Sequence, residues 1–587
     1  MTRFPVIIIA LLAMWMAIPV ASNAREVKVQ VAVTADVHAR LFPYDFVANR
    51  PAKTSMANVY YMVQSLRARD RSNLILLDNG DLIQGTPAAY YANFVQETDQ
   101  NLFSRVMNFM RYDAATIGNH DIEAGAEVYN RILEEFNFPW LGGNVLDEET
   151  GEPYFKPYTI IQRQGVKVAV LGLTTTGVPS WLPPHLWEGL VFEDMVESAQ
   201  YWVDHIQAEE EADAIIGLFH SGFGPLDPDP EDHPLENASG YIAKHVHGFD
   251  VIFSSHDHQR RIQTVSNTAG DDVLVMGPGH FAEHLALAEL TFRRESRRAP
   301  FELKDIRAEM ISTDKAVPSH QFIQEFEDDV QDILKFANEE VGRISEDMHS
   351  IESLFGSAPF TDLVHEIQLA LTDAEISFTA PLAFDQTIRK GKLHMRDFFR
   401  LYEYENYLYA MELTGQEVLD HLEFSYGLWL NRMLDEDDHL LNLRRDELGR
   451  IPEGRRGRGA LRNPPYNFDS AAGIRYRVDV RESAGERVEV LEMEDGSAFD
   501  PEATYIVAIN SYRGSGGGGH LTEGAGIPRE ELSDRIVFTS ERDLRSYMIE
   551  HFREMGAYDP ESRDNWKIIP EDWVEKGREK DMPYLRP

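Results

Sequence analysis

Five short strings in the sequence place Asp, Asn and His side chains where an apolar run stops. They are Thr34-Ala35-Asp36-Val37-His38, Asp78-Asn79-Gly80-Asp81, Gly118-Asn119-His120-Asp121, His220-Ser221-Gly222 and Ser255-His256-Asp257-His258. Imidazole, carboxylate and carboxamide together make a donor set for a divalent transition metal, and they do so without sulfur. The chain has no cysteine, which excludes disulfides, thiolate zinc sites and cysteine nucleophiles. Taken singly the strings are ordinary. An Asp-x-His pair is common in surface turns, and a histidine after an apolar run is usually a satisfied core residue. In this order and at these places they read as one metal centre.

The elements that must position them follow from the apolar pattern. Runs at 27–33, 74–77, 166–173, 214–219 and 251–253 read as strands, and longer helical stretches, for instance 56–69 and 193–208, separate many of them. That alternation predicts an α/β or mixed-sheet domain. Loops at the carboxyl ends of such strands cluster, so the five strings can converge although about 220 positions separate the first from the last.

The chain of 587 residues exceeds what one core organises, so two domains are expected. With 43% hydrophobic and 26% charged residues it is globular in composition. The net charge of −42 repels long nucleic acids, but a local cluster of cations can reverse the sign inside one pocket. At the start, Arg3, an apolar stretch over 6–20 and Ala21-Ser22-Asn23-Ala24 read as a cleaved secretory signal over 1–24. The mature chain is then periplasmic or secreted, and no later stretch predicts a membrane span.

The second half reads differently. Residues 318–344 are acidic and helical in pattern, with Phe322, Phe326, Val330, Ile333 and Leu334 on one side, as in a linker helix. A helix over 361–371, a strand over 377–384 leading to Arg389, the string Tyr402-Glu403-Tyr404-Glu405-Asn406, a strand over 407–413 and a helix capped by Thr414 come next. Asn510-Ser511-Tyr512-Arg513 precedes a glycine run that lacks the Gly-Lys-Ser/Thr ending of a P-loop. The Arg- and Gly-rich stretch 430–465 reads as an exposed, mobile insert, and the polar tail after Tyr558 carries no assigned role.

The five strings together resemble the calcineurin-like metallophosphoesterases, and within them the 5′-nucleotidase family, over nearly all of the mature chain. The resemblance implies a four-layer αββα catalytic sandwich over 25–312, a linker over 313–345, an α+β nucleotide-binding domain over 346–560 and a tail over 561–587. It implies one divalent metal on Asp36, His38, Asp81 and His258, and a second on Asp81, Asn119, His220 and His256, with Asp81 bridging. Mixed imidazole and oxygen donors suit Mn, Zn, Fe or Co. Metal-bound hydroxide would then attack phosphorus while the cations neutralise the phosphoryl oxygens. His120 would stabilise the transition state or protonate the leaving oxygen. In the family an acidic residue three positions later orients this histidine; Glu123 stands there in place of the usual Asp, and Asp121 is the rival partner.

The same resemblance implies that Tyr404 and Tyr512 sandwich the base, that Asn406 bonds it and that Arg389 meets ribose or phosphate. Tyrosine at both stacking positions and the Asn-Ser-Tyr-Arg-Gly-Ser-Gly-Gly string look closer to the 2′,3′-cyclic-nucleotide phosphodiesterase/3′-nucleotidase branch. The expected partner is a nucleotide, and the expected state a monomer or weak oligomer. The alternatives are a UDP-sugar pyrophosphatase, a thiosulfohydrolase and a non-catalytic nucleotide-binding protein.

Overall fold

A computed structural model describes residues 24–229, 234–446, 448–452 and 457–586. The expected signal segment lies almost wholly outside the described residues. The catalytic half is built on two six-stranded sheets packed face to face. The strands that end in the five strings are β1 (Arg25–Thr34), β2 (Leu74–Asp78), β3 (Ala114–Thr116), β4 (Ala214–His220) and β5 (Val251–Ser254). In the first sheet β1, β2 and β3 are neighbours, β1 pairing parallel with β2 and antiparallel with His284–Arg294. In the second, β4 pairs parallel with β5 and with Val166–Thr174.

Side-chain alternation sorts the layers. Val27, Val29, Val31 and Val33 of β1, with Ile75 and Leu77 of β2, face the space between the sheets and pack against Val168, Val170, Ile216, Leu218 and Phe253 of the second sheet. Ala32, Leu74 and Leu76 point the other way, into a core shared with helices Met56–Asp70, Leu102–Met110 and Ala126–Glu135. On the far side Leu171, Ile215 and Ile252 meet helices Met195–Glu209 and Ser239–His245. Both faces of each sheet are covered, which is why these strands read as continuous apolar runs. The result is the expected four-layer αββα sandwich. Burying each such Val or Leu is worth about 1.5–3 kcal/mol.

Residues 318–344 do not form one helix. Helix His320–Glu325 ends at Phe326, Glu327–Ala337 follows, and Glu340–Ile344 is a strand paired with Gly391–His394. Phe322, Phe326 and Ile333 are buried against the catalytic half as their pattern predicts. Pairing with Gly391–His394, irregular between Glu340 and Gly342, replaces helical continuation and leaves Val341 and Ile344 buried.

The C-terminal half centres on a five-stranded sheet in which β6 (Leu408–Thr414) and β7 (Thr504–Asn510) are antiparallel neighbours. Thr414 caps helix Gly415–Trp429: its Oγ1 accepts from Glu417 N at 3.2 Å, and Glu417 Oε2 accepts from Thr414 N at 2.7 Å. The strand expected over 377–384 is shorter, Ile376–Thr379, since Pro381 has no N–H for a ladder. Residues 447 and 453–456 of the stretch 430–465 lie outside the described residues; the described ones are anchored rather than loose. Leu430, Met433, Leu440, Leu441, Leu443 and Leu461 are buried in the domain core, and bridges join Leu430 to Leu441 and Leu443 to Leu461. The tail is structured too: Trp566–Ile569 pairs parallel with Ile474–Asp479, and helix Glu571–Leu585 follows. Charge and glycine dominate these stretches in composition, and the few leucines that anchor them are too sparse to show a period. No described helix is long and apolar enough to cross a membrane.

The two halves touch through aromatic contacts. Tyr90 stacks on Phe336 at 6.0 Å, meets Phe399 edge-on and hydrogen-bonds Ser546 Oγ at 3.1 Å. His185 stands edge-on to Tyr407 at 4.8 Å. These contacts hold the carboxyl ends of β1–β5 opposite the ends of β6 and β7.

Candidate active site

The five strand ends converge as expected. At one point Asn119 Oδ1 lies 3.1 Å from His220 Nε2 and 2.9 Å from His256 Nδ1, and Asp81 Oδ2 lies 3.2 Å from His220 Nε2. At the other, His38 Nε2 and His258 Nε2 are 3.1 Å apart, with Asp36 Oδ1 3.7 Å from the latter. Asp36, His38 and His258 form one group with the spacing of a metal site; Asp81, His220 and His256 form another. Asp36, Asp81 and His220 are wholly buried.

The donor chemistry fits divalent cations. The ring nitrogens facing away from the centres are held by acceptors: His220 Nδ1 by Asn79 O at 2.7 Å, His38 Nδ1 by Gln84 Oε1 at 3.3 Å and His256 Nε2 by Glu236 Oε1 at 3.1 Å. A carbonyl or carboxylate can only accept, so the proton sits on that nitrogen and the inner one presents a lone pair. Burial pushes His38 well below the usual imidazole range and His258 down to about 4, which keeps both rings neutral and ready to ligate. Burial, with the neighbouring Asp81 carboxylate, pushes the Asp36 carboxyl well up, and a nearby dication opposes that shift.

The backbone is bent to aim these groups. Asp36, His38, Asp81, His256 and His258 all hold φ between 45° and 71°, a region that non-glycine residues seldom enter and that concentrates at functional sites. Gly118 is required by space: a Cβ there would lie 2.2 Å from Asp81 Oδ1. Ser255, just before His256, donates its hydroxyl to Asn79 O at 2.9 Å and so ties this turn to the loop after β2.

His120 lies beside the centres, its ring 5.4 Å from that of His38. Its Nδ1 is 2.5 Å from Glu123 Oε2, so the longer side chain still reaches the ring. Burial opposes the charge on His120, but the Glu123 and Asp81 carboxylates outweigh it and push the imidazole up to about 10. Asp121 is not a partner of this ring. It is fully buried and turned toward the metal loops, accepting from Asp81 N and Gly118 N through Oδ2, and from Leu82 N and Ile83 N through Oδ1, at 2.8–3.2 Å. Two residues along helix Asn119–Glu123, roughly half a turn, separate the two carboxylates and send them in different directions.

A cavity of about 270 Å³ opens from this centre toward the C-terminal half. Asn119, His120, Glu123, Trp181, Glu236 and His256 line one side, and Leu382, Tyr404, Asn406, Tyr466, Asn510 and Tyr512 the other. Tyr404, Asn406 and Tyr512 are thus brought to the metal centre. Arg389 is not. The short strand Thr387–Ile388 pairs with Met348–His349 and sends the Arg389 side chain, 76% exposed, to Asp347 Oδ2 at 3.0 Å. Of the polar and aromatic lining residues, three carry no motif in the sequence: Glu236, Trp181, which stacks on His256 at 5.4 Å, and Tyr466. Each is brought in by a long loop or turn.

Comparison with known proteins agrees with this geometry. The sequence profile of the calcineurin-like phosphoesterases matches residues 29–260, and that of the 5′-nucleotidase C-terminal domain matches 340–523. The chain thus joins a calcineurin-like phosphoesterase domain to a 5′-nucleotidase C-terminal domain. It is similar to the trifunctional nucleotide phosphoesterase protein YfkN of Bacillus subtilis, 26% identical over 94% of this chain, and spans 39% of that protein's length. It is also 24% identical to a 2′,3′-cyclic-nucleotide 2′-phosphodiesterase/3′-nucleotidase of Yersinia enterocolitica, over 93% of this chain and 89% of that protein. A solved 5′-nucleotidase precursor from Thermus thermophilus superposes with a TM-score of 0.62 at 21% identity, covering 93% of this chain and 100% of that one.

Proposed function

We propose that this chain hydrolyses phosphate esters of nucleotides, and that 3′-nucleotides and 2′,3′-cyclic nucleotides are its substrates. The observation that carries the reading is the cavity itself: Asn119, His256 and His120 line one end, beside the two groups of metal donors, and tyrosines and an Asn side chain line the other. Asp36, His38, Asp81 and His258 would hold one divalent cation, and Asp81, Asn119, His220 and His256 the other. Two such cations supply positive charge for the phosphoryl oxygens and lower the pKa of water. Mn, Zn, Fe and Co all suit the donors.

The chain's own groups do the rest. His120, its Nδ1 held by Glu123 Oε2, can donate to a phosphoryl or leaving-group oxygen. Tyr404 and Tyr512 can pack on the two faces of a base, and Asn406 can bond its edge. The names of the relatives support the cyclic and 3′ substrates. The signal-like segment at the start supports a site of action outside the cytoplasm, and a single chain holds every group invoked, in keeping with a monomer or weak oligomer.

The test is phosphate release by the Mn-supplied mature protein from 3′-AMP, 2′,3′-cyclic AMP (with added phosphatase for the cyclic ester), 5′-AMP and a UDP-sugar. Preference for the first two supports the proposal. Dominance of 5′-AMP or the UDP-sugar reassigns the substrate. No turnover of any of them contradicts it and favours the sulfur-ester or non-catalytic readings.

A further inference from the structure

Tyr466 lies outside every motif that the sequence singles out, yet it faces the cavity between Tyr404 and Tyr512. Its ring stands 6.1 Å from that of Tyr404 at 80°, and 6.4 Å from that of Tyr512 at 90°. All three are half-buried cavity-lining residues. A ring perpendicular to two others extends a stack with neither; it closes the space beside them. A flat base held by Tyr404 and Tyr512 would therefore meet Tyr466 at its edge.

Behind this ring is a buried ion pair. Arg513 is 1% exposed. Its Nη2 donates to Tyr466 O at 2.8 Å and to Asp469 Oδ1 at 3.2 Å, its Nε to Asp469 Oδ2 at 2.8 Å and its Nη1 to Gly517 O at 2.6 Å. Asp469 Oδ2 also accepts from His421 Nε2 at 2.9 Å. The guanidinium carbon lies 5.5 Å from the centroid of the adjacent Tyr512 ring. One planar fork thus ties the run that carries Tyr466 to the glycine loop that follows Tyr512. A lysine would supply the charge but not the fork. Burying such a pair adds little net stability, but its geometry fixes its neighbours.

We propose that Tyr466 is the edge wall of the base slot and determines which bases it takes, and that Arg513 is the positioning residue that holds Tyr466 and Tyr512 in register. This rests on the nucleotide reading above. The test compares kcat/KM of the Mn-supplied protein and of Tyr466→Ala, Tyr466→Phe and Arg513→Lys on 3′-AMP, 3′-CMP and p-nitrophenyl phosphate, which has no base. Tyr466→Ala should lose about tenfold more on the nucleotides than on p-nitrophenyl phosphate and should change the 3′-AMP to 3′-CMP ratio; Tyr466→Phe should keep most of both. Arg513→Lys should raise KM for the nucleotides by more than it lowers kcat. Equal losses on all three substrates, or an unchanged base ratio in Tyr466→Ala, overturns the proposal. If Arg513→Lys shows no cooperative melting, the Tyr466 arm decides alone. Wild-type turnover of p-nitrophenyl phosphate without turnover of either nucleotide overturns the nucleotide reading itself, a result distinct from the first two.

Discussion

Glu236 Oε1 lies 3.1 Å from His256 Nε2, the ring nitrogen turned away from Asn119. The carboxylate fixes the tautomer, so that Nδ1 faces Asn119, and Trp181 stacks on the face of the ring. Glu236→Ala should weaken binding of the Mn that His256 would hold by about 10–100-fold, and Glu236→Gln by less, since its amide oxygen still accepts. Calorimetric titration of the metal-stripped protein measures this; equal affinity in all three proteins would mean that Glu236 does not orient the ligand.

His120 and Glu123 form the dyad that the geometry offers for transition-state stabilisation. His120→Ala should lower kcat by about 10²–10⁴-fold with metal content unchanged. Glu123→Gln should cost less, because the ring keeps a hydrogen-bond partner but loses the charge that holds its proton. Steady-state kinetics beside metal analysis by mass spectrometry separates this outcome from simple metal loss.

Asp121 braces the metal loops. Its carboxylate serves four backbone N–H groups, and Asp121→Asn turns one acceptor oxygen into an N–H₂ donor aimed at other donors. Leaving buried donors unmet costs about 1–3 kcal/mol each, so the melting temperature of the metal-free protein should fall by several degrees. Calorimetry in a chelator checks this, since metal binding then cannot mask the change.

Much of the catalytic centre is legible in the sequence because metal ligands are short-range events. Asp36 and His38, or His256 and His258, are local patterns at the end of an apolar run, and buried parallel strands make those runs conspicuous. Glu236 and Tyr466 are not legible, because what places them is a loop path, and a lone Glu or Tyr in a polar stretch has no pattern of its own. Asp121 and Glu123 show the remaining ambiguity. Both follow His120 closely, and only the pitch of the short helix decides that Glu123 meets the ring while Asp121 turns inward. Leu441 and Leu461 make the same point for the fold: isolated leucines in a charged stretch anchor it to the core, and periodicity cannot reveal them.

The C-terminal core should be sensitive to acid through Asp469. Burial opposes its charge, but the Arg513 guanidinium outweighs this and holds the carboxyl well below the usual carboxylate range. A folded pKa below the unfolded value of about 3.9 means that the native state binds fewer protons. The contribution is therefore present above about pH 4 and fades as the pH falls further. Asp469→Asn should lower stability near neutrality by about 3–5 kcal/mol, since Arg513 is left buried without a counter-charge, and should flatten the acid limb. Chemical denaturation of both proteins across that range measures the two slopes.

The central claim, a phosphoesterase centre of two cations sharing Asp81, is tested most directly by stripping the protein with a chelator and titrating Mn back while following phosphate release from 3′-AMP. The account predicts no release from the stripped protein and a rise that completes only with the second equivalent of Mn. It also predicts that Asp81→Asn releases almost none at any Mn level. Full activity in the chelator, or saturation at one equivalent, would contradict it.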